Sequence, residues 1–333
     1  MVTADYKLFT PLTIGKDLVL KNRVVMGPMT RARSDPVTRE ATELNATYYE
    51  QRAGAGLIIS EATAVSEQGH GWYGTPALYT SGQAAAWKNV VDRVHLKGGK
   101  IFAQLWHMGR VAHPSFNSKN EVVSASAIRL EDGHLRNVKG EHVPYETPRA
   151  LLTEEIPDVV EDYCRSAQFA KDAGFDGMNF TLQTDISLIS SCSPPPTSGR
   201  ITVKTVWPAD RIGVRLSPNG GFSGMGNADN PEQFTYVLTM LGEYGLAYVA
   251  LLDGVGFGYH DKARLLTVFD AKLAFKGLVL ANNSYTRDIA EGAVRSGTAD
   301  FVSFGRPFIS NPDLAERFAN DWPLNPDASY EAY

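Results

Sequence analysis

The sequence predicts one α/β domain over residues 1–333, a (β/α)8 TIM barrel, and three observations predict it. Eight short apolar runs punctuate the chain, at 24–29, 56–62, 100–106, 176–180, 212–217, 246–252, 277–282 and 301–305. They lack polar alternation, which suits strands buried on both faces of a parallel sheet. Helical signals separate most of them, and 333 residues suffice for one such barrel. A doubly wound sheet is the competing fold, but no Gly-x-Gly-x-x-Gly follows the first run.

Taken in order, residues 10–23 alternate around Gly15, Lys16 and Asp17, as an N-terminal hairpin would. In 81–97, Trp87, Val90, Val91 and Val94 share one helical face, and Gly98 and Gly99 stop the helix. Residues 107–152, rich in proline, glycine and polar side chains, read as a surface excursion after the third strand, a hairpin lid. A helix follows over 153–173, with Thr153 as cap, Glu154 and Glu155 at its positive end, and Gly174 as terminator. Asn230 before Pro231 and Asn311 before Pro312 each predict an N-cap with proline at the first helical position. Thr286 caps a further segment that stops near Gly297.

Residues 182–209 break this rhythm. They hold Ser-Ser-Cys-Ser-Pro-Pro-Pro and then an extended stretch with Ile201, Val203 and Val206 alternating against polar neighbours. The expectation is a barrel whose helix between strands four and five is missing or replaced by an extended cover.

Composition narrows the function. A net charge of −5 argues against a nucleic-acid footprint. Cys164 and Cys192 make no disulfide framework and no zinc site, which suits a reducing compartment. The N-terminus lacks a basic region followed by an apolar core, and no run approaches the roughly eighteen apolar residues of a membrane span. The last three residues are neither a peroxisomal nor a retention address. The expectation is a soluble cytoplasmic enzyme with a small-molecule substrate, with monomer and homodimer both open.

In such barrels the working residues lie at the C-terminal ends of the strands, and a phosphate often binds after strands seven and eight. The strand ends here carry Pro28, Met29 and Thr30; Glu61 and Ala62; Gln104 and Trp106; Arg215; Ala281 and Asn282; Gly305 and Arg306. Backbone N–H groups near Asn282 and Gly305, with Arg215 and Arg306, make an anion site. The bland alternative is a pair of rim arginines in ion pairs. Thr30, Ala62, Gln104 and Trp106 offer hydrogen-bonding groups and a flat apolar surface, a mixture that suits a planar heteroaromatic cofactor. His107 and His113 share one loop, but no third ligand has metal spacing, so they read as polar loop residues. Gly254 to Gly258 reads as a mobile loop, and Cys192 shows no sign of activation. Lys276 lies at the wrong end of strand seven for a Schiff-base lysine.

Five stretches resemble the old yellow enzyme family. They are 24–33 (Val-Val-Met-Gly-Pro-Met-Thr-Arg-Ala-Arg), 48–63 (through Gly-Leu-Ile-Ile-Ser-Glu-Ala-Thr) and 104–110 (Gln-Leu-Trp-His-Met-Gly-Arg). The others are 211–218 (Arg-Ile-Gly-Val-Arg-Leu-Ser-Pro) and 300–308 (Asp-Phe-Val-Ser-Phe-Gly-Arg-Pro-Phe). The resemblance implies a barrel that binds FMN, takes hydride from NADPH or NADH, and reduces activated alkenes such as enones. It implies that Thr30 bonds the flavin carbonyl beside N5 and that Gln104 binds the pyrimidine edge. Pro28, Met29 and Ala62 then pack or offer backbone contacts, and Arg215 faces the N1 side. Ala281, Asn282, Gly305 and Arg306 hold the phosphate, with Ser284 standing where a glycine is common. Trp106 borders the substrate.

The resemblance fails at one place. After the fourth strand the family carries a His-x-x-Asn or His-x-x-His pair for the substrate carbonyl, then a tyrosine that protonates the α-carbon. This sequence has Thr181, Thr184 and Ile186 there. The segment that follows is shorter than the family's by roughly twenty residues, about one helix with its loop. Each donor lost at a developing oxyanion costs roughly 10²–10³ in rate. Weak alkene reduction is therefore expected, with Tyr79 and Tyr259 as candidate loop donors that otherwise pack or line the pocket. A non-catalytic or defective member that still binds FMN is the alternative, and a splice or gene-model fault across the segment is another origin for it.

Overall fold

The apolar runs become eight parallel strands that close on themselves. The structure, a computed structural model, describes residues 5–131, 133–181, 206–221, 226–253 and 260–329. The strands are β1 (Val24–Met26), β2 (Leu57–Ala64), β3 (Ile101–Trp106) and β4 (Gly177–Thr181), then β5 (Ile212–Leu216), β6 (Tyr248–Leu252), β7 (Val279–Asn282) and β8 (Phe301–Phe304). Each pairs with the next in sequence, and β8 returns to β1 through Val302 beside Val24.

The missing alternation has a direct cause. Val25, Leu57, Ile59, Phe102, Tyr248, Leu280 and Phe301 fill the barrel interior. Their strand neighbours Val24, Met26, Ile58, Ile101, Val249, Val279 and Val302 belong to the outer layer, against the helices. Both faces of β1, β2, β3, β6, β7 and β8 are therefore apolar. The N-terminal hairpin pairs Leu12–Ile14 with Leu18–Leu20, and Leu12, Ile14, Leu18 and Leu20 join the interior cluster. They plug the end where the strands begin and leave the opposite mouth to the chemistry. Gly15 turns the hairpin at φ 59°.

The helices are α1 (Glu43–Glu50), α2 (Ser81–Leu96), α3 (Ile156–Asp172), α4 (Asn230–Gly242), α5 (Val268–Phe275), α6 (Arg287–Ser296), α7 (Arg306–Ser310) and α8 (Leu314–Asn320). In α2, Thr80 and Gln83 close a capping box, and Trp87, Val90, Val91 and Val94 are buried as the periodicity predicts. Thr286 caps α6, whose end is Gly297 at φ 78°.

Three caps fall elsewhere than expected. Thr153 opens a 3-10 turn instead of capping α3, because the Glu155 carboxylate takes the Leu152 N–H at 2.7 Å. Asp229, not Asn230, precedes α4, and the Asn230 amide donates to the Pro218 carbonyl at 2.8 Å. Asn311 ends α7 instead of beginning α8, which starts after Asp313.

The excursion after β3 carries small two-stranded pairings, Val123–Ser124 with Arg149–Ala150 and Leu135–Arg136 with His142–Val143. Its own apolar cluster includes Met108, Val111, Leu135 and Tyr145, with Trp106 packed against it. Thr184, Ile186, Cys192, Ile201 and Val203 lie outside the described residues, as do Gly254 to Tyr259. Where description resumes, Trp207 is buried beside α3, its indole N–H on the Ala167 carbonyl at 2.9 Å.

Candidate active site

The mouth of the barrel is a cavity of about 280 Å3, lined among others by Pro28, Met29, Arg215, Asn282, Gly305 and Arg306. Strand register explains the grouping. Side chains alternate along a strand, so Phe102, Gln104 and Trp106 rise along one face of β3, and Asn179 and Thr181 along the matching face of β4. Gln104 lies beside Asn179, and Thr181 beside Arg215. Arg215 therefore stands one layer above the packed interior. Burial lowers its pKa to about 10, which leaves it cationic at neutral pH.

Beneath that layer runs a buried polar chain. The Gln104 amide donates to Asn179 Oδ1 at 3.4 Å, and Asn179 Nδ2 donates to the Tyr248 hydroxyl at 3.1 Å. The Gln104 backbone N–H is taken by Ser60 Oγ at 2.9 Å. Gln104 is thus tethered at backbone and side chain. Asn179 and Tyr248 escape a linear reading, although a buried asparagine between Met178 and Phe180 is a signal in itself.

The residues expected at a phosphate are held by the backbone. Asn282 Nδ2 donates to the Ser303 carbonyl at 3.0 Å, tying β7 to β8. Asn283 and Ser284 follow at φ 112° and 56°, both in the left-handed region. That conformation is why a glycine suits position 284. Ala281 is fully buried in the outer layer and does not line the cavity, so only its backbone can serve a ligand.

The site accommodates FMN on grounds of its own. The Ser303 hydroxyl, in the cavity lining, is buried with no hydrogen-bond partner among the described residues, a cost that a polar ligand would relieve. A Cβ built on Gly305 would stand 2.7 Å from Met29 Sδ, and one on Gly27 would stand 2.4 Å from Ser303 Oγ. Larger residues would fill the cradle. A cation and bare backbone therefore line the cavity, and the tethered Gln104 amide lies in the layer beneath Arg215.

Other expected residues fall as follows. Ala62 is buried beside Gln104 across a β-bulge. Thr30 is partly buried in the loop after β1. Trp106 is half-buried, its indole N–H without a hydrogen-bond partner among the described residues. His107 is buried and neutral: Nδ1 accepts the Gly109 N–H at 3.1 Å, and burial lowers its pKa to about 4. His113 bonds Ser115 at 2.8 Å. Tyr79 lies outside the cavity, its hydroxyl accepting from Arg39 at 2.6 Å. A further residue was not anticipated: burial raises Asp253, at the end of β6, to about 6. It accepts from the Tyr285 hydroxyl at 2.5 Å, and Tyr285 lines the cavity.

Comparison with known proteins agrees with the motifs. The profile of the NADH:flavin oxidoreductase / NADH oxidase family matches residues 7–181 and 201–325. 12-Oxophytodienoate reductase 2 of Arabidopsis thaliana is 32% identical, over 98% of this chain and 92% of the relative. Among solved structures, the old yellow enzyme homologue of Zymomonas mobilis superposes with a TM-score of 0.89 at 36% identity, covering 98% and 96% of the two chains. Morphinone reductase in complex with tetrahydroNAD gives 0.85 at 36% identity, covering 98% and 93%. The chain thus belongs to the NADH:flavin oxidoreductase / NADH oxidase family, as an old yellow enzyme of the ene-reductase kind with FMN as cofactor and NADH or NADPH as hydride donor.

Proposed function

We propose that this member retains the flavin half of the family's activity and is weakened in the reduction of α,β-unsaturated carbonyls. Bound at the mouth, FMN would supply a two-electron carrier that accepts hydride from the nicotinamide and delivers it to the β-carbon of an alkene. Thr30 would donate to the ring carbonyl beside N5, and Gln104 would hold the pyrimidine edge. Arg215 would place positive charge where reduction gathers negative charge. Asn282, Gly305, Arg306 and the Ala281 backbone would hold the phosphate. Pro28, Met29 and Ala62 would pack along the ring, and Trp106 would wall the substrate side.

One observation carries the weakened half. Thr181 pairs with Arg215, and its hydroxyl is buried without a hydrogen-bond partner among the described residues; by resemblance this position would be the family's first carbonyl ligand. It can donate one uncharged hydrogen bond. Thr184 adds another hydroxyl at most, and Ile186 has no proton to give, so water must protonate the α-carbon. With each deleted donor costing roughly 10²–10³ in rate, enone turnover falls far below the flavin's reduction by NADPH.

The test is to purify the protein with FMN, reduce it with NADPH and offer cyclohexenone. Reduction with slow reoxidation by the enone is expected, and Thr181→His with Thr184→Asn and Ile186→Tyr should restore turnover. No gain in a folded triple variant counts against this reading. A second reading, a non-catalytic flavin binder, is favoured by the family match that stops at residue 181 and resumes at 201. Failure of NADPH to reduce bound FMN would select it. Transcript sequence across 180–207 separates a native segment from a splice or gene-model fault.

A further inference from the structure

Glu61 is a fully buried carboxylate that none of the roles above uses. It sits on a β-bulge. Ile59 pairs with Phe102 and Ala62 with Gln104, so Ser60 and Glu61 together oppose Ala103. A bulge re-aims the side chains around it. Here Ala62 comes level with Gln104, while Glu61 turns toward α1 and the loop after β1. One carboxylate oxygen accepts the backbone N–H groups of Arg31 at 2.9 Å and Ala32 at 3.2 Å. The other accepts from Asn45 Nδ2 at 2.9 Å and the Tyr49 hydroxyl at 3.3 Å. The Tyr49 hydroxyl in turn accepts the Glu61 N–H at 2.7 Å.

The loop so held is strained. Ala32 has φ 51°, a left-handed conformation that alanine keeps only where its surroundings impose it. Gly74 closes the other side: Ser34 donates to its carbonyl at 3.0 Å, and a Cβ there would lie 2.8 Å from Ala32 O. Thr30 immediately precedes the two clamped amides.

We infer that Glu61 is a positioning residue for the cofactor: through the Arg31 and Ala32 amides it holds the β1 loop that presents Met29 and Thr30 to the flavin. This rests on the flavin reading above. The carboxylate matters because four donors need four acceptor positions. Glutamine at 61 has the same shape but one oxygen, so its amide N–H groups face donors on one side. Either the loop amides or Asn45 and Tyr49 lose their acceptor, and the left-handed turn loses its restraint.

Glu61→Gln should weaken FMN binding roughly tenfold or more, read by quenching of flavin fluorescence. It should also lower the reduction potential of whatever flavin binds, since the Thr30 donor favours the electron-rich ring. Hydrogen exchange at Arg31 and Ala32 should quicken. Adding Ala32→Gly, which removes the strain, should recover part of the affinity. Tyr49→Phe, a milder change that keeps the carboxylate, should move affinity and potential the same way by less, and it decides the matter if Glu61→Gln does not fold. Unchanged affinity and potential in these variants, or loss of thermal stability without a shift in potential, would overturn the role while the wild type still binds FMN. A wild type that takes up no FMN overturns the flavin reading itself.

Discussion

Ser284 and Asp253 show how single positions set the terms at the ends of β7 and β6. Ser284 holds φ 56° directly after Asn283 at φ 112°. A serine there pays a steric cost that glycine does not. Ser284→Gly should therefore raise unfolding stability by about 1 kcal/mol in urea titrations. A less stable variant would mean the hydroxyl contributes more than the strain costs. Asp253 has an ordinary value of 3.8, and burial lifts it to about 6. Between these values the unfolded chain releases a proton that the folded chain keeps. The stability this group contributes is full below the lower value and is lost as pH rises through the higher one. Asp253→Asn still accepts the Tyr285 hydrogen bond but cannot ionise. Relative to wild type it should gain thermal stability as pH rises from about 4 to about 7, and parallel melting curves across that range would refute the shifted carboxyl. Arg215 and Gln104 were legible in the sequence because a polar residue ends an apolar run. Ser303 and Asn179 were not, because their roles depend on which strand lies beside them, and Glu61 was visible only as a strand end, its clamping of the β1 loop resting on a bulge that no linear pattern records.

At the scale of elements, α2 ties the outer layer together. Trp87 is fully buried, its ring 5.9 Å from Tyr49 of α1 and 5.4 Å from Phe175 just before β4. Trp87→Ala should cost about 3–5 kcal/mol in denaturant unfolding, as large-to-small changes in packed cores do. A loss below about 1 kcal/mol would show that the helix is not anchored there. The same helix explains why elements were easy to read and their caps were not. Its buried face repeats on the helical period, and most strands are apolar on both faces, so burial writes itself along the chain. Caps are local competitions. Asn230 spends its amide on Pro218, Asn311 serves the helix before it, and Glu155 displaces Thr153. Sequence offers the competing groups without saying which bond wins.

At the scale of the molecule, the family match covers the barrel over residues 7–181 and 201–325 and leaves out the stretch between them. The hairpin plug, the closed eight-stranded sheet and Arg215, Gln104, Asn282 and Gly305 all lie within the matched stretches, and the match is interrupted between residues 181 and 201. Among the described residues no helix is long and apolar enough to cross a membrane. Barrel architecture would permit the proposed division of cofactor and substrate functions, because a cofactor at the mouth would meet strand ends all around it whereas the proposed carbonyl ligands would come from one loop. The most direct measurement separates the two half-reactions by anaerobic rapid mixing. NADPH should bleach the flavin absorbance, and cyclohexenone should restore it at least about 10²-fold more slowly than in the Thr181→His, Thr184→Asn, Ile186→Tyr variant. Equally fast recovery in the unaltered protein would contradict the account.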